Sequence, residues 1–146
     1  MNSILVATDA SPASNRAVDV AADLAKQYGA SLTILYVVRL MQLPPELRKM
    51  AKVEKIAERE ADVFQYLAEQ VLGTAVQRAQ KVGAIKVSKS VGEGDPATVI
   101  IKQAKQRKAD LIVMGTRGLG KVKEAFLGSV SRKVCNLSQV NCLTVR

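Results

Sequence analysis

Residues 110–121 read DLIVMGTRGLGK: an aspartate, four aliphatic residues, then Gly115, Gly118 and Gly120 within six positions, closed by Lys121. The continuous apolarity of Asp110 to Met114 predicts a strand buried on both faces, as parallel sheets require. Glycines directly after such a strand let the backbone come close to a ligand, and the N–H groups of a following helix favour an anion. In open α/β sheets the ligand sits outside the carboxyl ends of the strands, where the strand order reverses.

Strands and helices alternate on either side of this segment. Ser3 to Ala7 (SILVA) predicts a first strand, and Ser11-Pro12 an N-cap with proline at the first helical position. Ala17, Val18, Ala21, Ala22, Leu24 and Ala25 recur at helical spacing before Gly29 ends the helix. Ser31 to Val38 (SLTILYVV) predicts a second strand, and residues 39–50, with Pro44-Pro45, a loop. Ala51 to Val82 carries a helical stripe of Val53, Ile56, Ala57, Phe64, Leu67, Ala68, Val71 and Leu72, with Gly73 as a point of interruption. Ala84 to Val91 predicts the third strand, Gly92 and Gly94 a loop, and Asp95-Pro96 the cap of a helix reaching about Arg107. A last helix ends near Leu137, and Cys142 to Val145 (CLTV) predicts a fifth strand. The alternation predicts one α/β domain over residues 1–146, an open five-stranded parallel sheet with helices on both faces.

Composition removes several kinds of function. With no histidine, there is no histidine base, Ser-His-Asp triad or His-ligated metal. Cys135 and Cys142 form no CxxC motif, which excludes a zinc knuckle or thioredoxin-type site. They fit a reducing cytosol, so both are expected to be reduced, without a structural disulfide. Aromatics are 3% of the chain, too few for base-stacking platforms, so nucleic acid is disfavoured as a partner. No apolar run approaches the ~20 residues of a membrane span, and the first residues show no signal-peptide pattern, so the expected location is cytoplasmic. The formal charge of +9 is uneven: residues 1–80 hold nine Lys/Arg and nine Asp/Glu, residues 81–146 thirteen and four. A basic second half suits either a solvated face or a phosphate-bearing ligand.

Gly115, Gly120 and Lys121 match part of a Walker A loop, but Val122 stands where Ser or Thr must hold magnesium, and the dinucleotide fingerprint GxGxxG is absent. A different spacing fits: Gly115, two residues, Gly118, nine residues, then Gly128-Ser129. This G-x2-G-x9-G-[ST] pattern, within GTRGLGKVKEAFLGSVS, resembles the nucleotide signature of the universal stress protein family. SILVATDASPAS and GDPATVIIKQAKQRKADLIVMG resemble the family as well, so the likeness covers nearly the whole chain except residues 39–55.

The resemblance implies a Rossmann-like, adenine nucleotide alpha hydrolase-like fold with strand order 3-2-1-4-5. It implies a regulatory dimer of the stress response that binds ATP, or AMP or ADP, between strands one and four. Its implied site comprises Ala7, Thr8, Asp9, Val37, Met114, Gly115, Thr116, Arg117, Gly118, Gly128, Ser129, Val130 and Ser131. Asp9 would face the ribose or a nucleotide-bound magnesium, and otherwise forms an Asx turn. Val37 would line the adenine pocket or simply fill core. Met114 to Gly118 would wrap the ribose and phosphates, although Gly115 and Gly118 also suit ordinary turns. Gly128 to Ser131 would face the phosphates, with Ser129 alternatively a helix N-cap. Ala7 and Asn141 depart from the family's pattern, which often has proline there. Lys121 and Lys123 suit solvated surface. No catalytic residue and no protein metal site is expected; slow ATP hydrolysis or self-phosphorylation at Ser129 or Ser131 is the enzymatic alternative, and regulatory partner proteins are implied but not identified. Cys142, Leu143, Thr144 and Val145, an apolar edge without lysine, are expected to pair with a second copy.

Overall fold

The computed structural model describes residues 1–39, 46, 49, 56–117 and 127–146. The expected loop at 39–50, the stripe residue Val53, and Gly118, Gly120, Lys121 and Lys123 fall outside them, apart from Arg39, Glu46 and Lys49. The elements run β1 (Ser3–Thr8), α1 (Pro12–Tyr28), β2 (Ser31–Val38), α2 (Ile56–Val82), β3 (Val87–Glu93), α3 (Pro96–Gln106), β4 (Leu111–Gly115), α4 (Ser129–Leu137) and β5 (Asn141–Val145). All strand pairs are parallel, in the order β3-β2-β1-β4-β5. The order therefore reverses between β1 and β4, with Ala7 beside Met114 in the last shared register.

Strand alternation sorts the core into two layers. Ile4 and Val6 of β1, Leu32 and Ile34 of β2 and Val113 of β4 pack under α1 and α2, against Ala17, Ala21, Leu72 and Ala75. Leu5, Leu35, Ile112 and Met114 face the other way, under Ala97, Ile100 and Ala104 of α3 and Val134 of α4. Alanines at the contact positions let the helices lie close to the sheet.

The local capping signals hold. Ser11 Oγ accepts from the Ser14 N–H at 3.2 Å, and Gly29 closes α1 in the left-handed region at φ 63°. Asp95 caps α3, accepting from the Thr98 N–H at 2.9 Å.

Helix α2 runs unbroken through Gly73. Three expectations are corrected. Leu67 of the expected apolar stripe of α2 is 46% exposed, beside exposed Val63 and Tyr66; from residue 59 onward the first buried position is Ala68. The cause is length. Helix α2 has 27 residues. At the helical rise that is ~40 Å. The longest strand, β2, has 8 residues and spans roughly 26 Å. The first half of α2 therefore overhangs the sheet. Strand β3 starts at Val87 rather than Ala84, because Gly83 turns at φ 114° and Ile85 is 92% exposed. Gly92 lies inside β3 opposite Val37, leaving Gly94 (φ 123°) as the turn glycine.

Asp95 also joins the helices of one layer: its Oδ2 lies 3.0 Å from Lys133 Nζ on α4. The Thr98 hydroxyl, the Thr98 N–H and then Lys133 hold its carboxyl well down, at about 2. A carboxyl that ionises more readily when folded stabilises above its unfolded value and loses that contribution as pH falls through its folded one. Asp95→Asn keeps a capping side chain but not the charge. Its melting temperature is expected to lie below wild type at about pH 5 and to converge with it toward about pH 2; equal melting at both pH values would show that the charge contributes nothing.

Candidate functional site

At the strand-order reversal, two connections face each other. The first leaves β1 at Thr8 and enters α1. Asp9 Oδ1 accepts from the Ser11 N–H at 3.0 Å, the expected Asx turn. Ala10 sits at φ 63°. That left-handed conformation costs a non-glycine residue roughly 1–2 kcal/mol. The Ala10 N–H donates to Thr8 Oγ1 at 3.2 Å, which helps to hold it there. Beneath the turn lie two buried hydroxyls: Thr8 Oγ1 is 3.1 Å from Ser14 Oγ, which donates to the Ser11 carbonyl at 3.0 Å.

The second connection leaves β4 at Gly115. A Cβ on Gly115 would lie 2.8 Å from Ser14 N and 2.9 Å from the Ala13 carbonyl carbon. Glycine is therefore needed here for backbone of α1 to approach. Beyond it, the Thr116 N–H donates to the Val145 carbonyl at 2.7 Å. The Thr116 carbonyl accepts from the Gly128 N–H at 2.7 Å and faces Ser131 Oγ at 3.2 Å. These contacts draw the first turn of α4 up to the end of β4. The Ser11 hydroxyl crosses to the Arg117 carbonyl at 3.4 Å and joins the two connections.

The sequence-derived residues then divide. Thr8, Asp9, Gly115, Thr116, Arg117, Gly128 and Ser131 meet in this seam through the contacts above. Ala7, Val37, Met114 and Val130 all pack against the core cluster under α3 and α4, with Met114 buried and the others partly so. Gly118 lies outside the described residues. Ser129 is not the N-cap, a correction: Gly128 takes that position with extended backbone, and Ser129 is the exposed first helical residue. Among the described residues no side chain caps this turn. Ser131 is buried, with its hydroxyl committed to the Thr116 and Gly128 carbonyls.

Sequence reasoning assigns Ser11 only a capping role and gives Ser14, Arg16 and Arg146 none. An arginine pattern scattered over both ends of a chain carries no spacing signal, yet Arg16, Arg117 and Arg146 line one cleft with Thr116 and Thr144, of about 410 Å³. The Arg16 guanidinium donates to the Arg146 carbonyl there. Among the described residues no group of three or more His, Cys, Asp or Glu could hold a metal, and no helix is long and apolar enough to cross a membrane.

Fold and seam together define a doubly wound α/β domain with a polar crevice at its topological switch point. The family model described as the Universal stress protein family matches residues 1–146, and the chain belongs to that family. It is 34% identical over 149 residues to universal stress protein YxiE of Bacillus subtilis, covering 99% of both chains. UspA from Lactobacillus plantarum superposes with a TM-score of 0.85 at 26% identity, covering 99% of this chain and 97% of that one. A universal stress protein solved in complex with cAMP superposes with a TM-score of 0.71 at 28% identity, covering 99% and 96%.

The packing at position 115 has a measurable consequence. Gly115→Ala removes unfolded-state entropy worth ~0.4–1 kcal/mol, but forces backbone apart at a cost of roughly 1–3 kcal/mol. The clash prevails, so the variant is expected to lose about 1–2 kcal/mol in urea denaturation. Unchanged or raised stability would mean that α1 yields easily.

Proposed function

We propose that this protein binds an adenine nucleotide, ATP in its working form, at the seam between β1 and β4, and acts in the cytoplasm as a regulatory dimer rather than an efficient enzyme. One observation carries the reading: the Asp9 turn and the uncapped first turn of α4 converge where the strand order reverses, beside the apolar edge of Ala7, Val37 and Val130. An apolar edge suits a flat base, a carboxylate suits ribose hydroxyls, and the N–H groups of Ser129 to Ser131 suit phosphate. The G-x2-G-x9-G-S spacing and the relative solved with cAMP support the same ligand class. Within this reading Gly115 and Met114 shape the floor, Thr8 holds the turn, and Thr116, Arg117 and Gly118 border the phosphates. Magnesium, where it accompanies ATP, is carried by the phosphates with Asp9 nearby.

The alternative, slow phosphoryl transfer within the site, narrows to one serine. Ser129 is exposed at the start of α4, whereas the Ser131 hydroxyl is buried and engaged.

Asp9→Asn is the direct test. The amide oxygen can still accept from the Ser11 N–H, so the turn persists while the charge is lost. Hydrogen bonds to an ionised acceptor are roughly twice as strong as neutral ones, so a loss of about 1–2 kcal/mol, near tenfold in affinity for ATP, is expected by calorimetry. A folded variant that binds ATP as tightly as wild type would remove Asp9 from the site.

The dimer rests on β5, which has β4 on one side and no strand on the other among the described residues. Pairing of Cys142 to Val145 with a second copy would run antiparallel across a two-fold axis. Light scattering at micromolar concentration is expected to give twice the chain mass of 15.7 kDa, and Leu143→Pro to shift the population toward monomer. A wild-type mass of one chain would end the proposal.

A further inference from the structure

A cleft of about 410 Å³ opens where the carboxyl ends of β4 and β5 meet α1. Its walls come from three parts of the chain. The β4–β5 register sets Met114 beside Thr144 and Gly115 beside Val145, and the Thr116 N–H extends the pairing to the Val145 carbonyl at 2.7 Å. Thr116 and Thr144 thereby line the cleft from the end of the sheet. Ala13 and Arg16 are three positions apart on α1 and so share a helix face, with Ala13 buried and Arg16 exposed. Arg146 lines the remaining side, and the Arg16 Nε–H donates to its main-chain oxygen. That bond anchors the Arg16 side chain and leaves both its terminal nitrogens without a partner among the described residues. Neither Arg16 nor Arg146 has an ion pair with an Asp or Glu among those residues, and Asp19, one turn further along α1, is engaged by Arg78. No carboxylate side chain lines the cleft among the described residues. With the Arg146 main-chain oxygen counted as a carboxylate, the guanidinium groups of Arg16, Arg117 and Arg146 still outnumber it. The apolar lining is confined to Ala13 and Leu127, too little to cover a flat base.

We propose that this cleft is a binding site for a compact phosphate anion of the pyrophosphate class, recognised by Arg16 and Arg146 with the Thr116 and Thr144 hydroxyls beside them. Planar guanidinium groups match the paired oxygens of a phosphate, and such charge-assisted bonds are about twice as strong as neutral ones. Several cations around one cavity suit an anion with several charged oxygens better than a single carboxylate. The site is distinct from the apolar edge of Ala7, Val37 and Val130, which packs on the α3/α4 side of the sheet. The phosphate chemistry has two sources: free pyrophosphate, or the terminal phosphates of a nucleotide in the seam, which Thr116 and Arg117 also border. The first source is independent of the nucleotide reading, and the second rests on it.

Calorimetric titration of the full-length protein with pyrophosphate, at low ionic strength and without magnesium, is the test. Wild type is expected to bind it saturably. Arg16→Gln and Arg146→Gln, both at exposed positions, are each expected to weaken binding by about tenfold or more. Lys86→Gln removes the same charge from exposed surface at the amino end of β3 and is expected to change the affinity by less than about twofold. Absence of saturable binding, or an equal loss in Lys86→Gln, would overturn the proposal. Repeating the titration on protein saturated with AMP or with ATP separates the sources. Blocking by ATP but not by AMP would put the terminal phosphates of the nucleotide in the cleft; blocking by neither would make it a separate anion site. Blocking by AMP as well would place pyrophosphate in the nucleotide seam and overturn the proposal. Failure of AMP and ATP to bind at all, with pyrophosphate still binding through Arg16 and Arg146, would remove the nucleotide reading and leave this site standing.

Discussion

The approach of the first turn of α1 to the carboxyl end of β4 constrains everything around it. With backbone atoms of Ala13 and Ser14 at 2.9 and 2.8 Å from where a Cβ would stand, only glycine at 115 lets α1 cross at this distance. From that point Thr116 turns its N–H to Val145 and its carbonyl to Gly128, which sets the end of β5 and the start of α4. The Ser11 hydroxyl reaches the Arg117 carbonyl, 106 positions along the chain. Two connections that share no sequence neighbourhood thus acquire a common wall, and the crevice at the strand reversal takes its width from a packing requirement. A glycine required by helix–sheet contact therefore also shapes the crevice.

Several residues carry both burdens. Asp9 spends one carboxylate oxygen on the Ser11 N–H. Ser131 spends its hydroxyl on two carbonyls, so under the proposed reading only its backbone N–H would face an anion. Ser129, with an exposed side chain and no capping bond, has both a hydroxyl and an N–H to offer. The neighbouring serines differ because α4 turns one toward Thr116 and the next-but-one away from it.

What can be read from sequence alone follows the range of the interactions. Strands β2 and β4 declare themselves by apolar continuity, and the Ser11-Pro12 and Asp95-Pro96 starts by chemistry contained within four residues. Strand β3, VSKSVGE, is an edge strand with alternating exposure and small polar residues, so the buried Ala84 draws its expected boundary too early. The helical period of α2 contains no information about how far the sheet extends, and so Leu67 shares its expected stripe with Ala68. At position 129 the preference of serine for N-caps misleads, because the extended backbone lies at Gly128. The glycine spacing points to the proposed ligand segment, whereas the Ser11–Arg117 link exists only once distant elements have packed.

The second half carries a surplus of positive charge. Residues 81–146 hold four carboxylates against thirteen cations. Asp95 is taken up by its helix cap and Lys133. Asp110 accepts the Asn2 and Ser3 N–H groups at 2.6 and 3.0 Å, which lowers its pKa and pins β1 to β4 at the end of the sheet remote from the seam. In the first half, Asp19 is similarly engaged with Arg78. Arg16, Arg117 and Arg146 line one cleft at the carboxyl ends of β4 and β5. At physiological salt, charges act over ~8 Å, about the scale of one crevice. Under the proposed reading, a field of that reach would bring a phosphate-bearing ligand toward the seam before any single contact forms.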